Sequence, residues 1–173
     1  MQIFTKLIAV GTVATLLGGC MGKPDLLPHG ERSDAENSAF ITMKTPVFRY
    51  ADQGFIHKEL GRTKIEIYSS GNPVMKLTIN SSQICSGSGL FSCLSKGEFN
   101  KRYLSMYYPD DTLESIFLAK PVFASVGLEQ TSKGFIQKIK KPLEYNIRYS
   151  VSGKNILFRD TINNIVIKVR ENG

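Results

Sequence analysis

A chain of 173 residues, 42% apolar and 21% charged, with a formal net charge of +7, has material for one folded core. Setting aside residues 1–19 leaves 154, a length that buries roughly two-thirds of its unfolded surface as one domain and leaves little for a second. The positive excess is uneven: residues 20–132 hold 12 Lys or Arg against 12 Asp or Glu, and residues 133–173 hold 9 against 3. That excludes a uniformly basic protein and puts the charge in the last third.

The N-terminus carries Lys6, an apolar stretch from Leu7 to Leu17, then Gly18, Gly19 and Cys20. A transmembrane helix needs about 20 apolar residues, whereas this run of about 11 has the length of the apolar region of a cleavable signal peptide. Leu17-Gly18-Gly19-Cys20 resembles the lipobox of bacterial lipoproteins. The resemblance implies cleavage after residue 19, diacylation of the Cys20 thiol with palmitate-type chains, and acylation of the new amino group. Each buried methylene contributes about 0.8 kcal/mol, so two or more chains hold a protein firmly where one holds it marginally. Met21 stands where inner-membrane lipoproteins usually carry aspartate, which points to the outer membrane, facing the periplasm. Residues 21–39 are rich in Pro, Gly and charge without a hydrophobic period and read as a flexible tether, so residues 20–39 connect the anchor to a β-rich domain at 40–173.

From Phe40 onward the apolar residues alternate. A strand is expected over Ile41–Tyr50, interrupted by Pro46 as at an edge or bulge. Two more are expected at Thr63–Tyr68 and Val74–Ile79, joined by residues 69–73, with His57 in the loop before them. Cys85 and Cys93 in an exported chain are expected to form a disulfide that stiffens the glycine-rich stretch between them. Their spacing is wider than a Cys-x-x-Cys redox pair, and no histidine lies near to complete a metal site.

The period then changes. Ser95-Lys96-Gly97-Glu98 matches a capping box, and Phe99, Tyr103, Met106 and Tyr107 fall on one helical face. A second short helix starts near Pro109-Asp110-Asp111, with Leu113, Ile116 and Phe117 as its apolar members, and stops near Lys120-Pro121. Alternation returns at Phe135–Lys140, Tyr145–Val151, Ile156–Arg159 and Ile165–Arg170. The fold predicted is mainly β (α+β): an antiparallel meander forming a sandwich or curved sheet, with two short helices inserted near 96–120.

Lys138, Lys140, Arg148, Lys168 and Arg170 alternate with the apolar positions, so a sheet would carry them away from the core. Such a face is either a solvated one whose lysines discourage edge pairing, or a contact for anionic lipid head groups, lipopolysaccharide or an acidic protein. Near an anionic membrane each basic side chain contributes on the order of 1 kcal/mol. Nucleic acid is not expected, because the aromatics alternate inward instead of interleaving with the cations.

Little else suggests chemistry. His29 lies in the tether, and His57 has no nucleophile beside it in sequence. Asp110, Asp111 and Glu114 are accounted for by capping and by the dipole of a helix N-terminus. Phe99, Tyr103, Tyr107 and Phe117 read as core, with a ligand cradle as the alternative. No phosphate loop, zinc spacing or calcium loop occurs, so no metal and no cofactor is expected.

Several stretches together resemble a family of small uncharacterised lipoproteins of the epsilon-class proteobacteria: residues 50–56 (Tyr50 to Ile56), 65–71 (Ile65 to Gly71), 98–101 (Glu98 to Lys101), 108–111 (Tyr108 to Asp111) and 158–165 (Phe158 to Ile165). The resemblance spans most of the mature domain and implies the envelope compartment, but brings no catalytic residue. The function expected is therefore a non-enzymatic, membrane-anchored envelope protein, a structural or interaction module for another envelope component, protein partners included. The alternative is a binder or carrier of a lipid or other hydrophobic ligand.

Overall fold

The computed structural model describes residues 38–87, 89 and 92–172. Strand β1 (Ser38–Lys44) shows the pattern common to the long strands: Ala39, Ile41 and Met43 are fully buried, and Phe40 and Thr42 alternate with them on the outer face. The same period-2 burial runs through β2 (Arg49–Glu59), β3 (Arg62–Ser69), β4 (Asn72–Ile79), β8 (Gly134–Lys141), β9 (Tyr145–Ser152), β10 (Asn155–Asp160) and β11 (Ile165–Glu171). Three short strands, β5 (Gln83–Ser86), β6 (Cys93–Ser95) and β7 (Leu128–Thr131), complete one antiparallel sheet.

The strand order is β6-β5-β4-β3-β2-β1-β11-β10-β9-β8-β7. Each run, β1 to β6 and β7 to β11, is a plain meander, and the two are joined where β1 pairs with β11, Ile41 opposite Val169 and Met43 opposite Ile167. Between the runs lie α1 (Lys96–Tyr103) and α2 (Thr112–Phe117). Helix α1 packs on β5 and β6, and α2 packs on β10. At about 4.8 Å per strand, β5 and β10 would stand roughly 29 Å apart in a flat sheet. The helices nevertheless touch each other, Lys96 Nζ lying 2.6 Å from Glu114 Oε2. The sheet therefore curls around them without closing into a barrel, and Phe99, Leu113, Ile116 and Phe117 fill the concave side together with Tyr149 and Phe158.

Side-chain hydrogen bonds fix the helical segment. Ser95 caps α1 as its sequence predicts, its hydroxyl accepting from the Glu98 amide while Glu98 accepts from the Ser95 amide. Asn100 donates to the Pro109 carbonyl at 2.7 Å. The Tyr108 hydroxyl donates to Asp160 Oδ2 at 2.6 Å, locking the segment to the end of β10. Asp160 is 1% exposed and also accepts from the Asn146 and Ile162 amides and the Asn163 side chain. Burial pushes its carboxyl up, but these hydrogen bonds outweigh burial and hold it below the usual aspartate range.

Several expectations need correction. Pro46 does not interrupt one strand: Thr45 closes a tight turn, its hydroxyl accepting from the Val47 and Phe48 amides, so β1 ends at Lys44 and Tyr50 belongs to β2. Strand β1 already includes Ser38 and Ala39, inside the stretch read as tether, and Ala39 fills a core position. His57 lies in β2, not in a loop. The stretch 51–53 (Ala-Asp-Gln), which lacks large apolar residues, hides this strand, and Gly54 is required where it crosses β3, since a Cβ there would sit 2.1 Å from the Glu66 carbonyl oxygen. Helix α1 ends at Tyr103, which leaves Met106 and Tyr107 outside it and 63% and 46% exposed, so Tyr107 is not core whereas Phe99, Tyr103 and Phe117 are. The Cys85–Cys93 disulfide forms between directly opposed residues of β5 and β6.

Both the disulfide and the buried carboxylate have measurable consequences. Replacing Cys85 and Cys93 by Ser should lower the unfolding free energy by about 2.5 kcal/mol, the chain-entropy value for so short a loop, as read by denaturant titration. Because the Asp160 carboxyl is held low, its stabilisation is complete above the unfolded aspartate value near 3.8 and is lost as pH falls through the lower folded value. Asp160→Asn should cost about 3 kcal/mol at neutral pH, and unfolding curves of the variant should lose part of the acid-side decline.

Candidate functional site

The outer face of the sheet divides into two halves with different electrostatics. On β3 and β4 and at the Glu59 end of β2 the outward cations have carboxylates beside them: Glu59 pairs with Arg62 and with Lys64, and Glu66 pairs with Lys76. Hydrogen bonds from Arg62 and Lys64 hold the Glu59 carboxyl below its usual range. Such mixed charge is what solubility alone requires.

The other half is built differently. Cross-strand register places Lys138 opposite Arg148, Arg148 opposite Arg159, Arg159 opposite Val166, Val166 opposite Lys44, and Lys44 opposite Arg49. One straight row through β8, β9, β10, β11, β1 and β2 thus holds cations at every strand but β11. That strand supplies Lys168 and Arg170 instead, one and two steps along, and β8 adds Lys140 on the other side. All five cations read from the sequence lie on this face, and Lys44, Arg49 and Arg159 join them. Among the described residues, β8 to β11 and β1 carry no carboxylate on this face, and only Lys138 of the row has an acidic partner, Glu129 of β7 at 3.4 Å.

Sequence reasoning misses Lys44 and Arg49 because they lie far along the chain from the basic last third. Only the β1–β11 pairing brings them to it, whereas Arg159 could have been found from its alternation with Phe158. Like charges directly opposite in a sheet are destabilising by a few tenths of a kcal/mol or more. The row contains three such pairs, Lys138 with Arg148, Arg148 with Arg159, and Lys44 with Arg49. An anion lying over the row would relieve all three.

A second feature is an open groove of about 450 Å³ lined by Phe123, Val126, Ile139 and Tyr145 together with Asp111. One wall is a single turn in which Phe123, Ala124 and Ser125 all have positive φ, 49°, 49° and 65°. Left-handed backbone costs a non-glycine residue about 1–2 kcal/mol. Gln137, fully buried on β8, holds the turn: its Oε1 accepts from the Val122 amide, and its Nε2 donates to the carbonyls of Val122 and Val126. Ala124→Gly should relieve local strain and raise stability by up to about 1 kcal/mol, whereas Gln137→Ala, which strands buried backbone groups, should lower it by about 2 or more. Thermal unfolding of both variants checks this.

The remaining candidates do not assemble into chemistry. His57 stands on the outer face beside Phe55, ring centroids 6.2 Å apart, and opposite Lys64. Glu114 stands in the first turn of α2, where the helix dipole favours an acid as expected, and is engaged by Lys96, whereas Asp111 occupies the N-cap position without a side-chain capping bond, so the capping part of the expectation fails. Asp110 lies against the start of α1, its Oδ1 only 2.9 Å from where a Cβ on Gly97 would be. Among the described residues no group of three or more His, Cys, Asp or Glu could hold a metal ion. No helix among them is long and apolar enough to cross a membrane. Residues 1–19, Cys20, His29 and most of the stretch read as tether lie outside the described residues. Comparison of the whole chain with family models and with curated proteins finds no match.

Proposed function

We infer that this chain is a lipid-anchored protein of the bacterial cell envelope, held at the outer membrane through Cys20 with its β domain in the periplasm. It acts without catalysis, as a module that docks onto another envelope component. The anchor rests on the lipobox-like run ending at Cys20 and on the resemblance to small envelope lipoproteins. The Cys85–Cys93 disulfide suits an oxidising compartment. The docking role is carried by one observation: a row of like-charged side chains that repel one another across adjacent strands while the other half of the same sheet is neutralised pair by pair.

Two measurements test this reading. Intact mass of the protein purified from cell membranes should correspond to the chain from Cys20 onward plus acyl chains, and an unmodified Cys20 would remove the anchor. A photoreactive amino acid in place of Leu157, which is 38% exposed within the basic face, should give a crosslinked adduct with an envelope lipid or protein in intact cells. The same probe at Tyr68, on the neutralised half, should not.

A second reading has an observation of its own. The groove by Phe123 and Tyr145 has the volume of a small-ligand site and an apolar lining, which suits a hydrophobic ligand. Native mass spectrometry would then show a co-purifying molecule that Val126→Asp expels.

A further inference from the structure

We propose that the basic face is a membrane-contact surface, and that the component it docks on is the anionic phospholipid surface of the bilayer that carries the anchor. The proposal rests on the anchored reading above and names the occupant of that site.

The spread of the cations in two directions favours an array of head groups over a single thread. The row from Lys138 to Arg49 crosses six strands, about 24 Å at the usual strand spacing. At about 6.8 Å per two residues along a strand, the cations from Lys140 to Arg170 extend over roughly 20 Å in the other direction. A linear polyanion laid on the row would leave Lys140, Lys168 and Arg170 unmet, whereas mobile head groups can gather around the convex face from both sides of the row. Apolar groups are interspersed as an interface favours: Leu157 stands exposed between Ser150 and Lys168, and the Arg170 guanidinium lies 5.4 Å from the centre of the Phe40 ring.

Connectivity agrees. The chain leading from Cys20 joins the domain at Ser38, the first residue of β1, and β1 is one of the strands that builds this face. The sequence reading of residues 20–37 as a tether corresponds to a reach of about 25 Å. With that reach, an anchor on Cys20 raises the effective concentration of head groups around the domain, so that weak contacts of on the order of 1 kcal/mol per cation act together.

The test is lysine acetylation footprinting of the purified full protein on vesicles, with Lys64 and Lys76 of the neutralised half as internal references. On vesicles with roughly 30 mol% phosphatidylglycerol in phosphatidylcholine, Lys138, Lys140 and Lys168 should react about fivefold more slowly than on pure phosphatidylcholine, and high salt should abolish the difference. Equal reactivity on the two vesicles would overturn the proposal. So would protection that survives high salt, or protection that appears on neutral vesicles only when envelope proteins are added, which assigns the face to a protein.

The decisive variant is Arg148→Glu, which puts a carboxylate between Lys138 and Arg159. Its unfolding midpoint should hold or rise while the protection on anionic vesicles falls, and Arg148→Lys should keep both. Arg148→Glu that folds and retains full protection would overturn the proposal. If intact mass shows no acyl chain on Cys20, the anchored reading falls, and the same footprint on added vesicles still decides the face by itself.

Discussion

The pairing of β1 with β11 is the constraint on which the rest of the molecule depends. Each half of the chain is a meander that local turns can nearly specify, but each alone would leave two open edges and a half-covered apolar face. Laying β1 against β11 removes two of those edges, merges both apolar faces into one core, and leaves at the margins only β6 and β7, of 3 and 4 residues. Short margins offer little template for pairing with another chain. The contact is also the strand pairing of longest sequence separation, so loop-closure entropy weighs most heavily on it.

Once that seam exists, the helices must span the sheet from the inside. Their polar bonds are arranged for this: Lys96 to Glu114 holds α1 to α2, Asn100 to the Pro109 carbonyl shapes the connection, and Tyr108 to Asp160 carries it to the opposite half of the sheet. Asp160 collects donors from the turn after β10 as well as from Tyr108, so one buried carboxylate organises both the hairpin and the helix attachment. Removing such an acceptor leaves several buried donors unsatisfied at once. The aromatic contacts among Tyr108, Phe123, Tyr149 and Phe158 then pack around it.

The same seam creates the basic face. Two cations from the chain's beginning, Lys44 and Arg49, extend a row begun by Lys138, Arg148 and Arg159 near its end. A sheet whose outer face served solubility alone would gain by placing acids among them, as it does at Glu59 and Glu66. Repulsion retained in one half and avoided in the other is a difference within one surface, and it is the observation on which the proposed docking role rests.

Local pattern was enough for much of this. The period-2 runs at Thr63–Tyr68, Val74–Ile79, Tyr145–Val151 and Ile165–Arg170, the Ser95 capping box and the mainly antiparallel β class are legible because each depends on neighbours a few residues away. The cysteine pair is legible because reading the N-terminus as an export signal makes oxidation the expectation. What local pattern hid is whatever rests on contacts between distant segments: β2 with Gly54 and no large apolar residue at 51–53, the short β5 and β7 whose neighbours in the sheet supply their hydrogen bonds, and the exposure of Met106 and Tyr107 once α1 stops at Tyr103. The sequence by itself determined which residues face outward on each strand, since alternation is a property of the strand. Only the tertiary structure decided which outward residues stand side by side, because register and strand order are set by pairing across the sheet, and the row of cations exists only in that order.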